Sequence, residues 1–204
     1  MFHQRMLRLL IAIGSVWCSA NISVRAEIPE LPFVLRRAHS HNDYQQAHPL
    51  QDALRYGFAS VEADVYLVDG KLLVGHDRSD LTPQRTLASL YLDPLQARIR
   101  NQGGRVYSNG PSLMLLIDIK SEATNTYLAV REELRRYDKM FSVFLPDRTE
   151  TNAVTVVISG ERPRALMAGE ARRLAGYDGR LGDLQQPVTQ HFIPWISDNW
   201  AQNF

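Results

Sequence analysis

Between Ser60 and Leu67 the chain places two carboxylates inside a run that otherwise reads as a buried strand. Val61, Ala63 and Val65 alternate with Glu62 and Asp64, a period of two that predicts β structure. Residues two apart on a strand project to one face, so both acids leave the backbone together. On a solvated sheet face that would be unremarkable. In a parallel sheet covered by helices both faces are buried, and paired carboxylates then need a compensating charge. A hard divalent cation bound through oxygen meets that need. Imidazoles flank the pair in sequence, His41 before it and His76 after it, which adds acid/base capacity to the same region.

The remaining pattern decides between a parallel and an antiparallel sheet. A short strand is expected over Phe33–Ala38, ending in the polar cluster His39-Ser40-His41-Asn42-Asp43. Pro49 opens a helical stretch closed by Gly57. Asp69-Gly70 turns the second strand into a hairpin arm, Leu72–Gly75, that carries His76-Asp77. Helical pattern runs from Leu87 to Ile99, broken at Pro94, and Leu113–Lys120 is a third, strongly apolar strand. Its Asp118 and Lys120 again stand two apart at the C-terminal end. An amphipathic helix follows over Tyr127–Tyr137, with Leu128 and Leu134 inward, and a short strand over Phe141–Leu145. Further strands are expected over Ala153–Ser159, Ala175–Leu184 and His191–Ser197, with a short helix from Arg162-Pro163 to Ala168. Strand–helix alternation with polar groups at the C-terminal strand ends predicts an α/β, TIM-barrel-like parallel sheet. Six main strands are counted where a closed barrel has eight, so the barrel is expected to be incomplete and to lack its last strands.

The first 26 residues differ from the rest. Arg5 and Arg8 precede a nearly continuous apolar run, and Val24-Arg25-Ala26 has the form of a cleavage site, with Ala20 as a second possible position. This predicts a secretory signal peptide, a mature domain over 27–204, and a periplasmic or extracellular destination. Losing Arg5, Arg8 and Arg25 takes the formal charge from +1 to −2, which argues against a nucleic-acid partner. The single cysteine, Cys18, leaves with the leader, so the mature chain would need no disulfide.

Taken in order, S-H-N-D-Y, V-E-A-D-V, G-H-D and L-I-D-I-K resemble the superfamily of phosphatidylinositol-specific phospholipases C and glycerophosphodiester phosphodiesterases. The S-V-E-A-D-V and L-V-G-H wording is similar to the branch containing the altered-inheritance-of-mitochondria proteins. The resemblance implies a metal-dependent phosphoric diester hydrolase. On that basis Asn42, Glu62, Asp64 and Asp118 would bind a divalent cation, Ca²⁺ or Mg²⁺. His41 and His76 would be the catalytic base and acid, and Lys120 would sit near the phosphate. His39, directly after the first strand, is an alternative first histidine. The implied partner is a phosphodiester small molecule or a phospholipid head group. Family members also carry a late aromatic–acid pair that Trp195 and Asp198 imitate.

Two other readings stay open. His39-Ser40-His41 matches the H-x-H zinc pair of amidohydrolase barrels, for which His191 is the available later histidine. A chain with six strands could also keep the motifs and bind metal without turnover. Asp77 could orient His76 or cap a turn, Asp43 could support the first loop, and Ser159-Gly160 stands at the active end of its strand.

Overall fold

A computed structural model describes residues 33–199 and residue 201 of the chain; the leader expected over 1–26 lies outside them. Strand β1 (Leu35–Ser40) leads through α1 (Gln51–Arg55) to β2 (Phe58–Val68), which turns into β3 (Lys71–Val74). A π-helical turn (Ala88–Leu92) and α2 (Asp93–Asn101) precede β4 (Leu113–Ile119), and α3 (Ala123–Arg135) follows it. The two-residue arms β5 (Val143–Phe144) and β6 (Thr149–Glu150) come before β7 (Val154–Gly160). The chain then passes through α4 (Arg164–Ala168), β8 (Ala175–Gly179) and β9 (Trp195–Ile196).

The main strands pair in the order β1-β2-β4-β7-β8-β9, every contact parallel, with β3 added antiparallel to β2. Sequence order and spatial order coincide, as in a (β/α) barrel, and six strands form an incomplete one. The sheet curls: Arg36–His39 on the first edge strand and Trp195 on the last line one cavity of about 360 Å³, together with Ser60 and Met114.

Burial separates the two faces of each strand. Val61, Ala63 and Val65 of β2, Leu115, Ile117 and Ile119 of β4, and Val156 and Ile158 of β7 are fully buried against the helices. The intervening residues of β2 and β4 face the concave side, and there Glu62, Asp64 and Asp118 emerge. The apolar face drives formation of the sheet; burying each such side chain contributes roughly 1.5–3 kcal/mol.

Several boundaries differ from the sequence expectation for physical reasons. The first strand runs two residues further, to Ser40, and places His39 on the ladder opposite Ser60. The proline at 94 sits in the first turn of α2, where a missing N–H costs nothing, so it starts that helix instead of interrupting one. Helix α3 starts earlier, capped by Glu122, whose carboxylate accepts from the amides of Thr124 and Asn125 at 2.9 and 2.8 Å. Its buried stripe is Tyr127, Val130 and Leu134; Leu128 is only half-buried. The strand expected over Phe141–Leu145 reduces to β5, half of a small hairpin outside the main sheet. The one expected over 175–184 stops at Gly179 and continues as a 3₁₀ turn. The last strand shrinks to Trp195–Ile196, because residues 189–193 form a turn and Pro194 has no N–H for a ladder.

Candidate metal and catalytic site

Parallel register assembles the site. Asp64 of β2 stands beside Asp118 of β4, and Asp118 beside Ser159 of β7. Oxygens from Glu62, Asp64 and Asp118 all lie within 4.8 Å of one another. Glu62 and Asp64 are buried. Burial pushes the Glu62 carboxyl above the usual carboxylate range, and does the same to Asp118. Lys120 is the compensating charge within the protein, its Nζ 3.2 Å from Asp64 and 3.1 Å from Asp118. Burial disfavours the ammonium, but the two carboxylates outweigh it and hold the Lys120 pKa above its ordinary value.

One lysine does not satisfy three acids. Oδ1 of Asp64 and Oδ1 of Asp118 are both buried without a hydrogen-bond partner. Such an orphan costs about 1–3 kcal/mol, more when charged, and needs an explanation. Gly160 keeps the Asp118 oxygen open: a Cβ built there would lie 1.9 Å from it, and Gly160 has φ +67°. An all-oxygen, acid-rich set with two unused buried oxygens fits a hard divalent cation.

The loop after β1 is held by a buried acid. Asp43, with no exposure, accepts from Ser40 Oγ at 2.9 Å, the Leu50 amide at 2.6 Å and Tyr91 Oη at 3.1 Å. Burial raises its pKa as well. With this anchor, Asn42 takes a left-handed conformation (φ 50°) and its amide donates to Glu62 Oε2 at 2.9 Å. The Tyr44 hydroxyl reaches Asp64 Oδ2 at 2.7 Å, Asn42 Oδ1 at 2.9 Å and His76 Nδ1 at 3.2 Å. Burial first, and then Asp64, push its pKa far up, so it remains a donor. Tyr44 therefore links three predicted site residues, and sequence reasoning assigned it no role.

Both candidate catalytic histidines touch candidate ligands. His41 Nε2 is 3.4 Å from Glu62 Oε2 with its side chain 72% exposed, and His76 Nδ1 is 3.3 Å from Asp64 Oδ2 with 49% exposure. His39 lies further back on β1, with Nδ1 2.7 Å from Ser60 Oγ; burial, and then His41, lower its pKa. His191 bonds Thr149 of β6 and Arg173, both ahead of β7 and β8, and so lies among the N-terminal strand ends. The H-x-H pair and its proposed partner are thus kept apart. Asp198 accepts from the backbone of Leu181 and Asn199, Trp195 lines the cavity behind the site, and the exposed Asp77 stands in a turn with Asp80.

A further acid–base pair was passed over. Asp178 and Arg180, at the end of β8, repeat the two-residue spacing of Asp118 and Lys120. That repeat was the available signal.

Residues 33–178 match the model of the AIM6-like phosphodiesterase domain. The chain belongs to this family. It is 36% identical over 187 residues to altered inheritance of mitochondria protein 6 of Eremothecium gossypii, covering 82% of this chain and 48% of that protein. It is 32% identical over 168 residues to the homologue in Arthroderma benhamiae, covering 72% and 54% respectively. The Saccharomyces cerevisiae protein is 35% identical over 147 residues, 63% of this chain and 38% of its own length. The chain thus spans about half the length of the curated relatives it matches. No solved structure matches it. Among the described residues, no helix of this family member is long and apolar enough to cross a membrane.

Proposed function

We propose that this AIM6-like domain is a metal-dependent phosphoric diester hydrolase. The observation that carries the reading is the pair of orphaned buried oxygens, on Asp64 and Asp118, within a three-carboxylate cluster that two histidines and a lysine border. The family's phosphodiesterase name supports it. Glu62, Asp64 and Asp118, with Asn42 beside them, would hold a divalent cation, Ca²⁺ or Mg²⁺. Such a cation supplies Lewis-acid stabilisation of the charge on a phosphoryl oxygen.

The protein's own groups do the rest. Lys120 offsets negative charge that grows on the phosphoryl oxygens. A hydroxyl of the substrate attacks phosphorus, giving a cyclic phosphate as the leaving-group bond breaks. His41 takes the hydroxyl proton and His76 delivers one to the leaving oxygen. Tyr44 and Asp64 orient His76 through its Nδ1, which leaves Nε2 for that transfer. His41 is preferred to His39 because it contacts Glu62, whereas His39 is committed to Ser60. The substrate would be a soluble phosphodiester or a phospholipid head group, met outside the cytoplasm after export.

Hydrolysis of a panel of glycerophosphodiesters and lysophospholipids, followed by ³¹P NMR, tests this. A cyclic phosphate formed only with added cation, and lost in Glu62→Ala, is expected. Full turnover by His76→Ala would remove that residue from the mechanism. The incomplete barrel favours one rival: a chain that binds cation and turns over nothing would be a metal-binding relative of the enzymes.

A further inference from the structure

We infer that Arg180 is a second anion-binding residue of this site, one that takes a phosphoryl oxygen from the side of the cluster opposite β2. The inference rests on the phosphodiester reading above.

Arg180, the extended residue directly after β8, follows Asp178 by two, so both side chains leave the chain on one face. Asp178 has no exposure and a full set of donors on that face. Its Oδ2 accepts from Ser159 Oγ at 2.7 Å, Ser197 Oγ at 2.7 Å and Arg180 Nη1 at 2.6 Å, and its Oδ1 from the Ser197 amide at 3.1 Å. Ser159 is the register partner of Asp118, so this network adjoins the carboxylate cluster directly. The positive charge of Arg180 acts on Asp118 as well, favouring its ionised form.

The geometry differs from that of an arginine that only neutralises a buried acid. All three bonds of the guanidinium converge on Nη1: Asp178 Oδ2, Gly179 O at 3.0 Å and Ser197 Oγ at 3.0 Å. Nε and Nη2 make no hydrogen bond among the described residues, and the side chain is 37% exposed. One nitrogen is clamped by three contacts, two from the end of β8 and one from the residue after β9, while the remaining donors are left to a ligand. A planar guanidinium presented in this way suits a tetrahedral oxyanion better than a point charge does. Lys120 and Arg180 then stand on two sides of one phosphoryl position, the lysine over Asp64 and Asp118 and the arginine over the β8 end.

The test is a pair of titrations of the full chain. Mg²⁺ binding is measured first by calorimetry. Dimethyl phosphate in solution and phosphatidylglycerol vesicles are then offered to the Mg²⁺-loaded protein. In Arg180→Ala, anion affinity is expected to fall about 10- to 100-fold, the usual weight of a charge-assisted bond, with Mg²⁺ affinity almost unchanged. Arg180→Lys keeps a partner for Asp178 and guards against misfolding; it is expected to lose roughly 3- to 10-fold by the same measure, having no fork. An Arg180-dependent response to either probe supports the inference, and the probe that responds tells a soluble diester from a lipid head group. Unchanged anion affinity in both variants overturns it, as does a wild-type protein that binds neither probe. Absent Mg²⁺ binding would overturn the metal reading separately, and the anion titrations on metal-free protein would still decide Arg180 by the same criterion.

Discussion

Replacing Asp118 by asparagine is expected to stabilise the metal-free protein and to abolish its response to metal. The carboxylate oxygens of Glu62, Asp64 and Asp118 lie within 4.8 Å of one another. At an effective dielectric of about 20, unit charges at that distance repel by ~3.5 kcal/mol, so Asp118 carries ~7 kcal/mol from its two neighbours. Lys120, 3.1 Å away, returns ~5 kcal/mol on the same scale. Arg180 returns a smaller amount and the amide oxygen retains the lysine hydrogen bond, which leaves ~1 kcal/mol to be gained, or roughly 2–4 °C for a chain of this size. Excess Mg²⁺ or Ca²⁺ at about 100 times its dissociation constant should stabilise the wild type by ~2.7 kcal/mol and the variant by almost nothing, reversing their order. Thermal and urea melts in EDTA and in cation measure both halves. A variant less stable than wild type in EDTA, or one that keeps the full cation shift, would refute the reasoning.

Three other outcomes follow from the same site. Gly160→Ala would drive a Cβ into Asp118 and force alanine to φ +67°, so a loss of about 2–4 kcal/mol and of the cation shift is expected in the same melts. Tyr44→Phe removes a donor from the buried Asp64 and should cost about 1.5–3 kcal/mol; undiminished stability and turnover would show that the hydroxyl is idle. Because burial raises the folded pKa of Asp118, the unfolded chain releases that proton first. This contribution therefore weakens the metal-free protein as pH rises from the unfolded value near ~4 through the raised folded one. The stability advantage of Asp118→Asn should accordingly grow across that window in EDTA, and a flat difference would contradict the assigned cause.

The acids were legible because strand periodicity is a local signal. Val61, Ala63 and Val65 mark the apolar face, so alternation alone puts Glu62 and Asp64 on the other; the apolar run before Asp118 does the same for β4. Tyr44 was hidden because its reach depends on a left-handed Asn42 and on the anchoring of Asp43 by Leu50 and Tyr91, contacts that span up to 48 residues. Arg180 was hidden differently. The strand itself is legible over Ala175–Leu184, but the role of Asp178 beside Arg180 depends on serines 19 residues to either side, which no local pattern reveals. The short β9 shows the limit of pattern itself, since an apolar run does not reveal that Pro194 withholds a ladder bond.

The hairpin of β2 and β3 divides the site into halves that assemble on different clocks. His76 is joined to Asp64 across 12 residues by a two-residue Asp69-Gly70 turn with both φ values positive. Hairpins of this kind close in about 1–10 μs. Asp118 joins Asp64 only after a loop of more than 50 residues has closed, the slower and entropically costlier step. A cation that needs both acids is thus a late arrival in folding. Its stabilisation should appear almost wholly as slower unfolding, with the refolding rate nearly unchanged. Stopped-flow refolding that accelerates with cation would show instead that the carboxylates meet in the transition state.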